Sequence, residues 1–296
     1  MSETPVFMSY TREELDAQYD PSSAVSDIAD YVRQWRELST TAVERYTMHA
    51  DLRYGDHEEE LLDYFEPETR GAPLAIFFHG AWTRHDKSLF RYPALSLIPN
   101  GFAFATINCH RVPDVPLDVQ LEQAREAVEW LLSQADELGF DANRLCMVGH
   151  AAGAYLAAMM VTTDWTARLG VPESPVRSGL LASGVYDLEP VCHSHLNDSL
   201  QIDMNEAFAL SPIHHTPESP CPLVIAWGEN DLNEFRRQSR EFAAAWRRHE
   251  GPCNAFELPA TNHYDLSLEY CDPEGPLIRA LQSLFEEPGD RQAASE

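Results

Sequence analysis

The chain has 296 residues, 44% of them hydrophobic and 23% charged, which is enough for one large α/β domain or two small ones with a substantial core. Its formal net charge of −27 argues against nucleic acid and anionic membrane surfaces as partners. No apolar run reaches the roughly 18 residues that span a bilayer, and Met1 to Asp16 carries acids where a secretory signal needs an apolar stretch. Six cysteines (Cys109, Cys146, Cys192, Cys221, Cys253, Cys271) without a C-x-x-C pair suit free thiols, and hence a reducing cytoplasm.

Residues 11–46 read as helix. Ser26-Asp27 is a start signal, and Ile28, Tyr31, Val32 and Trp35 repeat at helical spacing. We take residues 1–45 as an N-terminal helical arm. The pattern then changes to a catalytic domain over residues 46–285. Leu61 to Phe65 and Pro73 to Phe78 read as strands, the second apolar on both faces as a buried parallel strand should be. Phe102 to Ile107 is a third. Gln120 to Leu138 is an amphipathic helix, Arg144 to Val148 a strand, and Ala152 to Thr162 a helix. Leu180 to Val185 and Leu223 to Trp227 continue the strands. Glu234 to His249 is a helix, Ala255 to Leu258 a short strand, and Glu274 to Phe285 a closing helix. Strands alternating with helices predict a mostly parallel sheet covered on both faces. Tyr186 to Pro222 is the natural lid or pocket insertion, and residues 286–296 read as a frayed tail.

The chemistry concentrates in Met147-Val148-Gly149-His150-Ala151-Ala152-Gly153-Ala154. Its glycines are spaced as in G-x-S-x-G, the nucleophile elbow of α/β-hydrolases, where a strand turns sharply into a helix and a Cβ on either glycine would clash. The central position is alanine, so the turn is kept and the attacking hydroxyl is missing. Acyl transfer on such a fold also needs an acid, a histidine base and N–H donors for the oxyanion, each following its own strand. After Leu223–Trp227 comes Gly228-Glu229-Asn230-Asp231, where Asp231 is the preferred acid and Glu229 the reserve. After Ala255–Leu258 comes Asn262-His263-Tyr264, with His263 in the place of the base. The oxyanion hole combines the amide of Ala152 with those of Ala81 and Trp82, in the loop Phe78-His79-Gly80-Ala81-Trp82. His79, Gly80, Trp82, His150, Tyr186 and Tyr264 are expected to line the substrate pocket, His150 as wall rather than proton carrier. Trp82, Phe90, Tyr92, Tyr186 and Tyr264 hint at an aromatic or extended apolar small-molecule ligand. His193, His195, His214 and His215 lie in the insertion without a matching carboxylate or cysteine set, so no metal site is expected.

These residues resemble the kynurenine formamidase-like (arylformamidase-like) α/β-hydrolases over roughly residues 8–285. The likeness runs through Tyr10-Thr11-x-Glu13-Glu14-Leu15-x-x-Gln18-Tyr19, His79-Gly80 with Trp82, Asp86-Lys87-Ser88, and Gly149-His150-x-Ala152-Gly153. It continues through Leu210-Ser211-Pro212 and Glu234 to Ser239, to Asn262-His263. The resemblance implies a cofactor-free serine hydrolase that cleaves an aryl formamide such as N-formylkynurenine, or a related ester or amide, and that assembles into homo-oligomers. It leaves Lys87, the single lysine, between a structural ion pair and a substrate contact. Two departures stand out. The family's His-Gly-Gly-Tyr-Trp is here the shorter His79-Gly80-Ala81-Trp82, and its serine is Ala151.

Ala151 has two readings. A deliberate serine-to-alanine replacement would leave every partner of the nucleophile intact. A natural pseudohydrolase would bind a ligand, or would use His263 as the base of a lyase or cyclase. The acid, base and oxyanion loop all remain, which favours the first.

Overall fold

The computed structural model describes residues 4–80, 82, 85–215, 217 and 219–285. An eight-stranded sheet forms its centre: β1 (Met48–Arg53), β2 (Leu61–Phe65), β3 (Ala72–Phe78), β4 (Ala103–Ile107), β5 (Phe140–His150), β6 (Val176–Ala182), β7 (Leu223–Gly228) and β8 (Cys253–Leu258), in the order β1-β2-β4-β3-β5-β6-β7-β8. β1–β2 and β2–β4 are antiparallel, and from β4 to β8 every neighbour is parallel. The main helices are α1 (Arg12–Gln18), α2 (Ile28–Arg45), α3 (Leu117–Ser133), α4 (Ala152–Thr162), α5 (Met204–Leu210), α6 (Asn233–Arg248), α7 (His263–Leu268) and α8 (Pro276–Gln282), with shorter helical turns between them. This is the α/β-hydrolase architecture.

Alternation along the central strands divides the interior into two cores. Leu74, Ile76 and Phe78 of β3 point to one face, with Met147 of β5 and Ile225 of β7. Ala75 and Phe77 point to the other, with Cys146, Val148, Val224 and Ala226. A strand buried on both faces must be apolar throughout, which is why β3 reads as an unbroken run. The register aligns the carboxyl ends: Phe78 pairs with Gly149, His150 with Ala182, Ala182 with Ala226, and Gly228 with Leu258. Loops leaving β3, β5, β6, β7 and β8 therefore open on one rim of the sheet, where ligands bind in open α/β folds.

Several elements differ from the sequence reading, among them β6, which spans Val176–Ala182 where Leu180 to Val185 was expected. The helix expected over 11–46 is broken between Gln18 and Ile28, because Pro21 opens a short 3₁₀ turn and Asp27 caps a new helix by accepting from the Ala29 amide. β1 was not foreseen: it is an edge strand, largely exposed, and lacks apolar alternation. The helix expected over 120–138 starts earlier, at Leu117, and ends at Ser133. A further turn over Ala135–Leu138 then closes on Gly139 in the left-handed conformation.

The arm is woven into the domain. Leu15 and Tyr19 join one core, while Trp35 and Ala42 of α2 join the other. The insertion over 186–222 folds into short helical pieces that include α5. The tail over 286–296 lies outside the described residues. Among the described residues no helix is long and apolar enough to cross a membrane, and all six cysteines are free, with Cys146 buried in the core.

Candidate active site

The elbow is built by close packing. A Cβ on Gly149 would stand 2.3 Å from the Gly153 carbonyl oxygen, and one on Gly153 would stand 1.8 Å from the Phe78 carbonyl oxygen. Only glycine lets α4 press this tightly onto the strand ends. Between them Ala151 takes φ 53° and ψ −124°, a region that residues with a side chain rarely occupy. The turn is held by Ala151 N–H donating to the Ala182 carbonyl (3.0 Å), and by the buried Tyr270 hydroxyl donating to the Gly149 carbonyl (2.8 Å).

Asp231 and His263 lie together on the same rim. His263 Nδ1 is 3.1 Å from each carboxylate oxygen of Asp231, and the two residues are only 5% and 6% exposed, respectively. Burial alone would raise the carboxyl pKa of Asp231. The adjacent imidazole, the Ser183 hydroxyl and the Leu232 amide, all favouring the anion, lower it instead. Asp231 is therefore a carboxylate that orients His263. Glu229 is used elsewhere, accepting from the Ala260 amide at 2.7 Å.

The His263 ring is sandwiched between His150 (centroids 4.6 Å) and Phe235 (4.4 Å). His150 donates from Nε2 to the His263 carbonyl at 2.9 Å. Burial, and then the neighbouring His263, push its pKa down to about 3, so it is a neutral wall residue that ties the elbow to the loop bearing the base. That loop is anchored from outside as well. Asn262 caps α7, its Nδ2 donates to the Tyr31 hydroxyl (3.0 Å), that hydroxyl donates to Asp265 (2.7 Å), and Trp35 Nε1 donates to Ser267 (2.9 Å). Both anchoring aromatics come from α2. Ser183, Tyr270, Tyr31 and Trp35 were not foreseen, since nothing in their local sequence marks contacts made far along the chain.

A cavity of about 330 Å³ opens over Ala151, Ala152 and His263. The loop after β3 contributes Gly80, Trp82, His85 and Phe90; α6 and α7 contribute Phe235 and Tyr264; the insertion contributes His195, Leu196, Ser199 and Leu200. The arm supplies Tyr19, Asp20, Pro21, Ser22 and Trp35, so its broken stretch is a wall of the site. Of the expected oxyanion donors, Ala152 and Trp82 border this cavity, and Ala81 lies outside the described residues.

Two expected pocket residues are corrected. Tyr186 is fully buried and stacks on Phe242 of α6 with centroids 4.4 Å apart, so its neighbour Val185, and not Tyr186, lines the cavity. His79 faces a small side recess. Its ring stacks on Phe90 (5.0 Å) and its Nε2 lies 3.1 Å from Asn108 Oδ1, so it supports the wall from behind. Tyr92 is likewise core, against Phe77. Lys87 is 2% exposed and pairs with Asp51 (2.5 Å) and Asp63 (3.0 Å), a structural ion pair away from the cavity. Among the described residues no group of histidine, cysteine and carboxylate side chains could hold a metal ion. In the insertion, His195 approaches Asp16, His214 stacks on Phe208, and His215 bonds the Ala209 carbonyl.

The BD-FAE family profile matches residues 62–177. The kynurenine formamidase of Salmo salar is 30% identical over 289 residues, covering 93% of this chain and 96% of that protein. The kynurenine formamidase of Danio rerio is 28% identical over 291 residues, covering 94% and 97%. A crystal structure of a putative thioesterase from Silicibacter superposes with a TM-score of 0.78 at 24% identity, covering 90% of this chain and 98% of that one, which speaks for the fold. With full-length likeness, and with Asp231 and His263 in contact on the rim of the sheet, the chain belongs to the kynurenine formamidase-like family of α/β-hydrolases, which cleave carboxylic esters and amides.

Proposed function

We propose that this site is built to cleave an aryl formamide of the N-formylkynurenine type, or a related aryl ester, through an acyl-enzyme, and that alanine at position 151 disarms it. The observation that carries this reading is the buried Asp231–His263 pair, oriented beside an elbow that still holds position 151 in the strained conformation of a nucleophile. With serine at 151, Oγ attacks the formyl carbon as His263 Nε2 takes its proton. The imidazolium keeps its Nδ1–H on Asp231, and the amides of residues 81 and 152 receive the oxyanion. The C–N bond then breaks, and the leaving aryl amine takes the proton from His263. Water, activated by the same histidine, releases formate from the serine ester. The aromatic walls given by Trp35, Trp82, Phe90, Phe235 and Tyr264 suit an aryl leaving group. In this reading residues 46–285 form the catalytic unit, residues 1–45 complete its pocket, and residues 186–222 cover it.

Loss of the nucleophile from such a site costs on the order of 10⁶ in kcat, while binding and the oxyanion hole keep about 10³ over water. The test is Ala151→Ser, assayed with N-formylkynurenine and aryl esters. A gain of several orders of magnitude is expected, and no gain over the parent chain rejects the reading. Turnover with Ala151 in place that is lost in His263→Ala would indicate instead a reaction using the base alone. Ligand binding indifferent to His263→Ala, with a silent Ala151→Ser, would indicate a pseudohydrolase.

A further inference from the structure

One buried polar side chain packed behind the ends of the loop after β3 belongs to neither the Asp231–His263 pair nor the elbow. Asn108 follows β4 and is 4% exposed. Its backbone is clamped on both sides: N–H donates to the Leu61 carbonyl (2.9 Å), and its carbonyl accepts from the Tyr54 hydroxyl (2.5 Å). The side-chain amide makes three hydrogen bonds. Oδ1 accepts from the Lys87 amide at 2.7 Å and from His79 Nε2 at 3.1 Å, while Nδ2 donates to Asp86 Oδ2 at 2.7 Å.

These partners allow a single arrangement. The Lys87 amide can only donate. Asp86 can only accept, because burial, which would raise its pKa, is outweighed by hydrogen bonds from Ser88 and Asn108 that hold it at about 2. The carboxamide therefore cannot be flipped, and its Oδ1 requires a donor from His79. With the carboxamide so oriented, His79 donates from Nε2 to Oδ1, while its Nδ1 lies 3.2 Å from the Gly80 carbonyl oxygen; burial lowers the pKa of the ring. The same ring lies flat on Phe90, at an interplanar angle of 10°.

His79 and Asp86-Lys87 are the two ends of the segment 80–85, which joins β3 to the 3₁₀ turn Lys87–Phe90. A single carboxamide thus ties both ends of the loop from which the proposed oxyanion donors come. We propose that Asn108 is the positioning residue of the oxyanion loop: it holds the two ends of that loop, His79 and Asp86-Lys87, in place without touching substrate. This rests on the acyl-transfer reading for its catalytic consequence, but not for its structural one. A misplacement of about 1 Å can cost on the order of 10² in rate when donors must meet a developing oxyanion.

Two measurements separate the structural from the catalytic claim. The first is amide hydrogen exchange on the chain as it stands. Asn108→Ala should raise exchange over residues 79–87 by about tenfold or more and leave residues 149–156 unchanged, since only local order is lost. The second is kinetics in the Ala151→Ser background. Asn108→Ala should lower kcat by about 10- to 100-fold with KM within roughly threefold, the pattern of a lost transition-state interaction. Asn108→Asp should be equally impaired at neutral pH, because it sets a second carboxylate against Asp86. The exchanged pair Asn108→Asp with Asp86→Asn keeps the net charge and all three hydrogen bonds, with one reversed in direction, and should recover to within about threefold of the parent. If Asn108→Ala fails to fold, the Asn108→Asp and exchanged variants carry both measurements. Unchanged exchange over residues 79–87, faster exchange throughout the chain, or an exchanged pair no better than Asn108→Asp would each overturn the proposal. An inactive Ala151→Ser would reject the acyl-enzyme reading alone and leave the exchange measurement to decide the role of Asn108.

Discussion

Replacing Ala151 by glycine should stabilise this protein, against the usual direction of an alanine-to-glycine change. At φ 53° and ψ −124° the alanine Cβ costs about 1–3 kcal/mol, which glycine does not bear. Glycine's greater freedom in the unfolded chain returns about 0.4–1 kcal/mol, and the lost methyl, at a partly exposed position on the cavity wall, returns a few tenths more. The net expectation is about 1 kcal/mol of added stability, or roughly 1.5–2 °C in Tm for a domain of this size. The contrast is Ala157→Gly, in the middle of α4 and fully buried. There about 1 kcal/mol of helix preference and about 0.8 kcal/mol of methyl burial are both lost. Two chemically identical changes in neighbouring turns should thus move the urea midpoint in opposite directions. Ala151→Ser keeps the Cβ and should melt with the parent. If Ala151→Gly lowers stability as Ala157→Gly does, the elbow holds no strain, and the argument that this turn keeps a nucleophile's geometry is refuted.

Three further outcomes follow from the same structure. In the Ala151→Ser background, Asp231→Asn should lower kcat by on the order of 10³–10⁴, because an amide at 3.1 Å from His263 Nδ1 no longer selects the tautomer that leaves Nε2 free to accept a proton; steady-state kinetics read this, and a loss under tenfold would remove Asp231 from the mechanism. Lys87→Met should cost about 2 kcal/mol in urea unfolding, since among the described residues the fully buried Asp63 keeps only Arg91 as its counter-ion, while KM stays unchanged; a raised KM at parental stability would restore a substrate role for Lys87. Asp86 has a folded pKa lowered to about 2, so its contribution is complete above the unfolded carboxyl value of about 4 and is lost as pH falls toward 2. Asp86→Asn should therefore be less stable than the parent at neutral pH and lose less between pH 4 and 2, measured by denaturant midpoints across that range. Parallel pH profiles for the two proteins would contradict this.

Beyond catalysis, the arrangement shows how the amino-terminal residues serve the site. Tyr19 reaches α6 by accepting from Gln238 Nε2 at 2.8 Å and donating to Glu234 at 3.3 Å, while Tyr31 and Trp35 hold the helix that begins with His263. The break between the two arm helices falls between these attachments and lines the cavity.

What sequence alone determines here is local and periodic. Apolar runs mark strands buried on both faces, the glycine pair marks the elbow, and the order of nucleophile position, acid and base follows from which strand each residue trails. Those features are legible because they depend on steric demands a few residues apart: a Cβ on Gly149 meets the carbonyl of Gly153, and no other residue type fits. What only the tertiary structure decided depends on contacts between distant segments. Asp231 was separated from Glu229 by which carboxylate reaches His263, and Lys87 was assigned by two aspartates from neighbouring strands. Tyr186 left the site because of the direction of one side chain, and Asn108 and Ser183 entered the account because buried donors and acceptors must find partners wherever the fold brings them. The edge strand β1 carried no periodic signal because most of its residues are exposed. Periodicity reports what each segment buries; the identity of its partner is a property of the closed fold.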